Sequence, residues 1–80
     1  MRNPKAVARV QRMLGANMKR MRVALGLTQG EAGQRAGLHW RHWQKIEAGE
    51  VNATIATLVG IGAALETTVS ELFAERRGEA

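Results

Sequence analysis

Between Thr28 and Gly49 the chain reads TQGEAGQRAGLHWRHWQKIEAG, and this stretch limits the fold more than any other. Thr28 is a good N-cap, so Gln29 to Ala36 predicts two turns of helix. Gly37 supplies the tight or left-handed conformation that ends such a helix without a Cβ penalty. A second helix is expected from about His39 to Ala48, stopping at Gly49. On it Trp43 and Ile46 form an apolar pair at i and i+3, with Glu47 beside them. Trp40, Arg41, Gln44 and Lys45 mostly point elsewhere. The first helix contains Gly30 and Gly33, each costing roughly 1 kcal/mol against alanine in a helix interior. It therefore needs packing to hold it. Ala32, Gly33 and Ala36 would let a large side chain come very close, and Trp43 is the expected partner, since large against small is how a core fills its volume.

The flanking sequence supplies further helices. Asn3-Pro4 is a helix start, with Asn as N-cap and Pro at the first helical position. One helix is expected from about Lys5 to Ala24, although Gly15 could divide it, and Gly26 closes it. Val7, Val10, Leu14, Met18, Met21 and Leu25 form one apolar stripe along it, with the Met pair as core filler. Leu27, Thr28 and Glu31 complete a hydrophobic lead-in and a capping box. After a linker from Glu50 to Ala53, Thr54 caps a helix whose Ile55, Leu58, Val59, Ile61 and Leu65 make a broad apolar face. Gly60 and Gly62 mark tight contact there. Thr67-Thr68 caps a last short helix with Val69, Leu72 and Phe73 facing inward. The expected fold is all-α, a single five-helix domain with an extended first helix. Residues 1–13 form a basic N-terminal extension of helix one, 14–73 the folded domain, and 74–80 a frayed tail.

Charge is placed unevenly. Residues 1–22 hold seven Lys or Arg and no carboxylate, whereas from Glu31 onward seven Glu face five Lys or Arg; the whole chain is +5. The basic half either faces an anionic partner or is a solvated helix surface. The absence of cysteine excludes a disulfide framework and a cysteine-based zinc site. His39 and His42 stand one turn apart, but no convincing third ligand accompanies them, so no metal or other cofactor is expected. No nucleophile is recognisably paired with a base and no glycine loop suits a nucleotide phosphate, so no enzyme activity is expected. No apolar run would span a bilayer and no signal peptide is visible. A soluble cytoplasmic protein is the expectation, without a membrane partner.

A small-residue helix, a glycine turn and a polar-faced second helix make the layout of a helix-turn-helix DNA reader. From Leu14 to Phe73, about three quarters of the chain, the sequence resembles the five-helix domain of phage Cro and repressor-type regulators, the Xre family. Its most specific signs are GLTQ at Gly26 to Gln29, the IEAG ending at Ile46 to Gly49, and LETTVSELF at Leu65 to Phe73. The resemblance implies that Gln29 bonds a DNA phosphate and braces the recognition helix. It places Trp40, Arg41 and Lys45 at base edges of the major groove, puts His42 near the backbone, and makes Arg22 and Glu47 an ion pair tying helix one to the recognition helix. With Thr28 and Gln44, these give an expected DNA-binding set of Thr28, Gln29, Trp40, Arg41, His42, Gln44 and Lys45, with Trp43 as core anchor.

Physical chemistry supplies reasons for those roles. A helix N-terminus directs free amides at a phosphate, and Arg41 can grip a guanine through O6 and N7. Lys45 suits a base or a phosphate. Three positions depart from the family pattern. Ala32 stands where Leu is common and Trp43 where a medium aliphatic is common, which reads as a volume-conserving swap. Trp40 stands where polar side chains are usual. Its ring could cover a thymine methyl, pack on Arg41, or join a protein contact. The resulting expectation is a nucleoid-associated transcriptional regulator, a homodimer on a palindromic operator in double-stranded DNA. An antitoxin or anti-regulator that mainly holds a protein partner is the rival from another class, and a restriction–modification controller is a narrower version of the first reading.

Overall fold

Asn3 opens the first helix as its sequence suggests: the side chain accepts from the Ala6 N–H (3.1 Å) with Pro4 in the first helical position. The computed structural model describes residues 3–75, and among them runs α1 (Pro4–Ala24), α2 (Gln29–Ala36), α3 (Trp40–Glu47), α4 (Ile55–Ala64) and α5 (Val69–Leu72), with no strand. Gly15 does not divide α1, which is continuous. The expected second motif helix is one residue shorter at each end: His39 is its N-cap and Ala48 its C-cap. Ala74 and Glu75 lie beyond α5 in no helix. The remaining residues of the expected tail, and the first two of the basic extension, lie outside the described residues.

Caps define each boundary. Thr28 and Glu31 make a reciprocal capping box at α2, with Thr28 Oγ1 accepting from the Glu31 N–H (3.0 Å) and Glu31 Oε1 from the Thr28 N–H (2.9 Å). Thr54 and Thr68 cap α4 and α5 in the same way through their hydroxyls. Gly26, Gly37 and Gly49 all have φ between 71° and 76°, so the three helix exits that the sequence marks with glycine are left-handed turns.

The core is aliphatic around a single ring. Leu14, Met18, Ala32, Trp43, Ile46, Leu58, Ile61, Ala64, Leu65 and Leu72 are buried together. α2 packs on both α3 and α4, α1 crosses α3 and reaches α5, and α4 closes on α5. Trp43 is fully buried and shares this core with Ala32. Gly33 and the Ala36 carbonyl also make close backbone approaches to other elements, and the Ala36 side chain packs against the same core. A Cβ on Gly33 would press on the Leu38 carbonyl (3.0 Å) and touch the Trp40 Cα (3.4 Å), and the Ala36 carbonyl approaches Gly60, where a Cβ would sit 2.8 Å away. Gly33 thus lets α3 begin close to α2, and Gly60 lets α4 cross it.

Two apolar stripes are only half used. On α1, Leu14 and Met18 are buried and Met21 packs against the core, but Val7, Val10 and Leu25 are exposed. α5 is only one turn long and leaves the N-terminal half of α1 uncovered. An open apolar groove of about 410 Å³ lies there, lined by Val7, Val10, Leu14, Val51, Ala53 and Phe73 among others. On α4, Leu58 and Ile61 face in, whereas Ile55 is 75% and Val59 57% exposed. The broad face expected of this helix is therefore split between core and surface.

Candidate nucleic-acid interface

The surface of α3 is fixed from beneath by one carboxylate. Glu47 receives Arg22 through Nε to Oε2 and Nη2 to Oε1, both at 2.9 Å. The Trp43 indole Nε1 donates to Oε2 (2.7 Å) and the Gln29 amide to Oε1 (3.2 Å). Arg22 also donates through Nη1 to the Leu27 carbonyl (2.8 Å). The two charged side chains are 13% and 5% exposed, so the pair is mostly withdrawn from water. Burial pushes the Glu47 carboxyl up, but the hydrogen bonds from Arg22, Trp43 and Gln29, with the Arg22 charge, outweigh burial and hold it below its ordinary value. A bidentate guanidinium fixes orientation as well as energy. One side chain of α3 thereby ties that helix to α1, to the loop at Leu27 and to the start of α2.

The opposite face of α3 is open. Arg41, His42, Gln44 and Lys45 are exposed and Trp40 is 45% exposed. The Arg41 guanidinium lies 5.4 Å from the centre of the Trp40 ring, and His39 stacks on the same residue at 6.0 Å with 28° between ring planes. His39 Nδ1 accepts from the Arg41 N–H (3.1 Å), so this imidazole serves as a helix cap. Among the described residues no cluster of three metal-ligating side chains occurs. Thr28 is exposed at the start of α2. The capping box uses the Thr28 and Glu31 amides, and those of Gln29 and Gly30 have no intrahelical acceptor. The Gln29 side chain, by contrast, is half-buried and engaged by Glu47.

A family model described as a helix-turn-helix domain matches residues 13–74. The chain belongs to the helix-turn-helix family of transcriptional regulators. An uncharacterized HTH-type transcriptional regulator from Sinorhizobium fredii is 33% identical over 63 residues, covering 79% of this chain and 82% of that protein. The restriction-modification controller protein C.AhdI from Aeromonas hydrophila superposes with a TM-score of 0.76 at 25% identity, over 79% of this chain and 96% of its own. A hypothetical transcription factor from Neisseria shares the fold, with a TM-score of 0.81 at 24% identity over 85% and 78% of the two chains. This regulator is a DNA-binding domain of the Cro and repressor type, in a family that works by binding rather than by catalysis. Among the described residues no helix is long and apolar enough to cross a membrane.

Several partners of the regulator's interface were not legible in its sequence. The cap at His39 lacks the usual Ser, Thr, Asp or Asn signal. The i to i+4 spacing of Trp43 and Glu47 permits their bond, but nothing local demands it. Asn17 is buried in α1 and donates through Nδ2 to the Leu72 and Ala74 carbonyls, both at 2.9 Å, while Arg20 donates to its Oδ1 (3.1 Å). It satisfies the exit of α5 from across the fold, a role no local pattern announces.

Proposed function

We propose that α3 enters the major groove of double-stranded DNA with Trp40, Arg41 and Lys45 toward base edges. Gln44 lies alongside them, and Thr28, Gln29 and His42 lie toward phosphates. The one observation that carries this reading is the division of α3 into two faces. Trp43 and Ile46 are buried, Glu47 is locked by Arg22, and every cation of the helix is left outside. The Gln29 and Gly30 amides at the start of α2 form a phosphate seat. The Gln29 side chain contributes by bracing Glu47, and its backbone N–H is the group available to an anion.

An eight-residue recognition helix is about 12 Å long and reads only a few base pairs. Selective binding among many competing sites asks for more contacts than one such helix supplies, so the regulator acts as a homodimer on a palindromic operator. The outward Ile55 and Val59 of α4, with α5, form the dimer surface in this reading. Selection of bound oligonucleotides from a random pool tests it, with enrichment of a two-fold motif expected. Arg41→Ala should relax discrimination at one position of each half-site by ~1–3 kcal/mol. An unchanged motif from that variant would remove Arg41 from base reading.

A further inference from the structure

Trp40 is the one large aromatic side chain that the core does not use, and it stands exposed at the start of α3 between two neighbouring groups. Its backbone lies close to Gly33, where an added Cβ would stand 3.4 Å from the Trp40 Cα, so the first residue of α3 packs against α2. Its ring is flanked by His39, itself held by the bond from the Arg41 N–H, and by the Arg41 guanidinium. An indole offers a major groove one N–H donor and a wide apolar face. It cannot imitate the paired hydrogen bonds that distinguish guanine or adenine. The one apolar group on the groove's base edges is the methyl on C5 of a pyrimidine.

We propose that Trp40 and Arg41 read one dinucleotide step together. Arg41 takes a guanine, and the Trp40 ring packs on the C5-methyl group of a pyrimidine in the neighbouring base pair. This rests on α3 being the reading helix. The separation of the two groups is compatible with neighbouring pairs. Successive base pairs are stacked about 3.4 Å apart, and the guanidinium carbon stands 5.4 Å from the ring centre, more than one step and less than two. With the guanidinium in the plane of its guanine, this separation is long enough for the indole to reach the next level of the stack. The cation–π contact keeps the guanidinium aligned before DNA arrives, so the pair is preorganised as a unit. Thymine and 5-methylcytosine both carry the required methyl group.

The test begins with the selected operator and the guanine whose preference Arg41→Ala loses. Each base pair beside that guanine is then prepared in four forms: thymine, deoxyuridine, cytosine and 5-methylcytosine. Thymine against deoxyuridine isolates the methyl group on one base, and 5-methylcytosine against cytosine isolates it on the other. At one of the two neighbours the regulator should bind the methylated member of at least one comparison about fourfold more tightly, the size of one buried methyl group. Trp40→Ala, checked for an unchanged melting curve, should bind both members equally, and Trp40→Phe should keep part of the preference. Equal binding of methylated and unmethylated forms by the wild type at both neighbours overturns the proposal. So does a full preference retained in Trp40→Ala, and either result leaves Trp40 to a protein contact. Failure of the pool to enrich any sequence overturns the DNA-reading role of α3 itself, which separates the two failures.

Discussion

Glu47 ties together three parts of the regulator, and its protonation state sets how firmly they hold. Burial opposes its charge, yet the donors from Arg22, Trp43 and Gln29 hold its carboxyl below the ordinary value. A depressed folded-state value means that the ionised group stabilises the fold. That contribution is complete above the ordinary glutamate range and is lost as pH falls through the lower folded value. Urea unfolding should therefore show a steady midpoint from about pH 7 to about pH 5 and a decline below it. Glu47→Gln cannot titrate and should flatten that acid limb. It should also cost about 3 kcal/mol at neutral pH by leaving the Arg22 charge largely buried without its counter-ion. Some slope should remain, because the Thr28 backbone N–H, and then its hydroxyl, hold Glu31 low as well. An acid limb as steep in Glu47→Gln as in the wild type would show that Glu47 is not the group responsible. The Arg22–Glu47 contact was expected from the family resemblance, and helix phase agrees with it, because Arg22 borders the Met18, Met21 and Leu25 stripe and Glu47 stands beside Trp43 and Ile46. The Trp43 and Gln29 bonds were not legible, because they depend on how far each helix is rotated against the other.

At the scale of whole helices, two glycines that look alike in sequence have opposite reasons for being there. Both Gly15 and Gly30 sit in helices where alanine would be favoured by up to about 1 kcal/mol. At Gly30 a Cβ would meet only the Thr28 hydroxyl at 3.8 Å, ordinary contact. At Gly15 it would collide with the Glu47 carbonyl, since α1 and α3 cross backbone to backbone there. Gly30→Ala should raise stability by ~0.5 kcal/mol. Gly15→Ala should lower it by ~1–3 kcal/mol despite its better propensity, because the crossing helices must part. Thermal melts of the two variants moving in the same direction would contradict the crossing geometry. The helix starts and stops were legible wherever the signal is local: Asn3-Pro4, the Thr28–Glu31 box, Thr54, Thr68, and glycine at 26, 37 and 49. The end of α4 was hidden, because Glu66 takes the left-handed conformation (φ 57°) in place of a glycine. Periodicity also promised burial for Val7 and Val10 that α5, four residues long, cannot deliver. A stripe reports which face is apolar, but covering it requires a partner of matching length.

Uncovered apolar surface matters most for the whole molecule, because in the proposed function α3 is too short to read an operator alone. Half-sites on a palindrome recur one helical turn apart, about 34 Å, so the proposed dimer requires a surface that holds both α3 helices at that spacing. Ile55 and Val59, one turn apart on α4, give a compact outward patch, and their neighbours Leu58 and Ile61 anchor that helix in the core. The double variant Ile55→Lys, Val59→Lys should keep the wild type's helical content, since exposed positions move monomer stability by no more than about 0.5 kcal/mol, and its melting temperature should fall only by what dimerisation contributes. It should sediment as a monomer where the wild type is dimeric and bind the full palindrome no better than a single half-site, a loss of at least about tenfold in affinity (~1.4 kcal/mol). A wild type that stays monomeric on and off DNA would remove the dimer from the proposal. A variant that remains dimeric would move the interface to the other uncovered surface, the groove between Val10, Val51 and Phe73. The two surfaces also separate by salt. The groove is bordered by the basic half of α1, where like charges from two copies would repel at low ionic strength. The α4 patch carries no Lys or Arg, so a dimer whose affinity barely changes between low and moderate salt belongs to Ile55 and Val59.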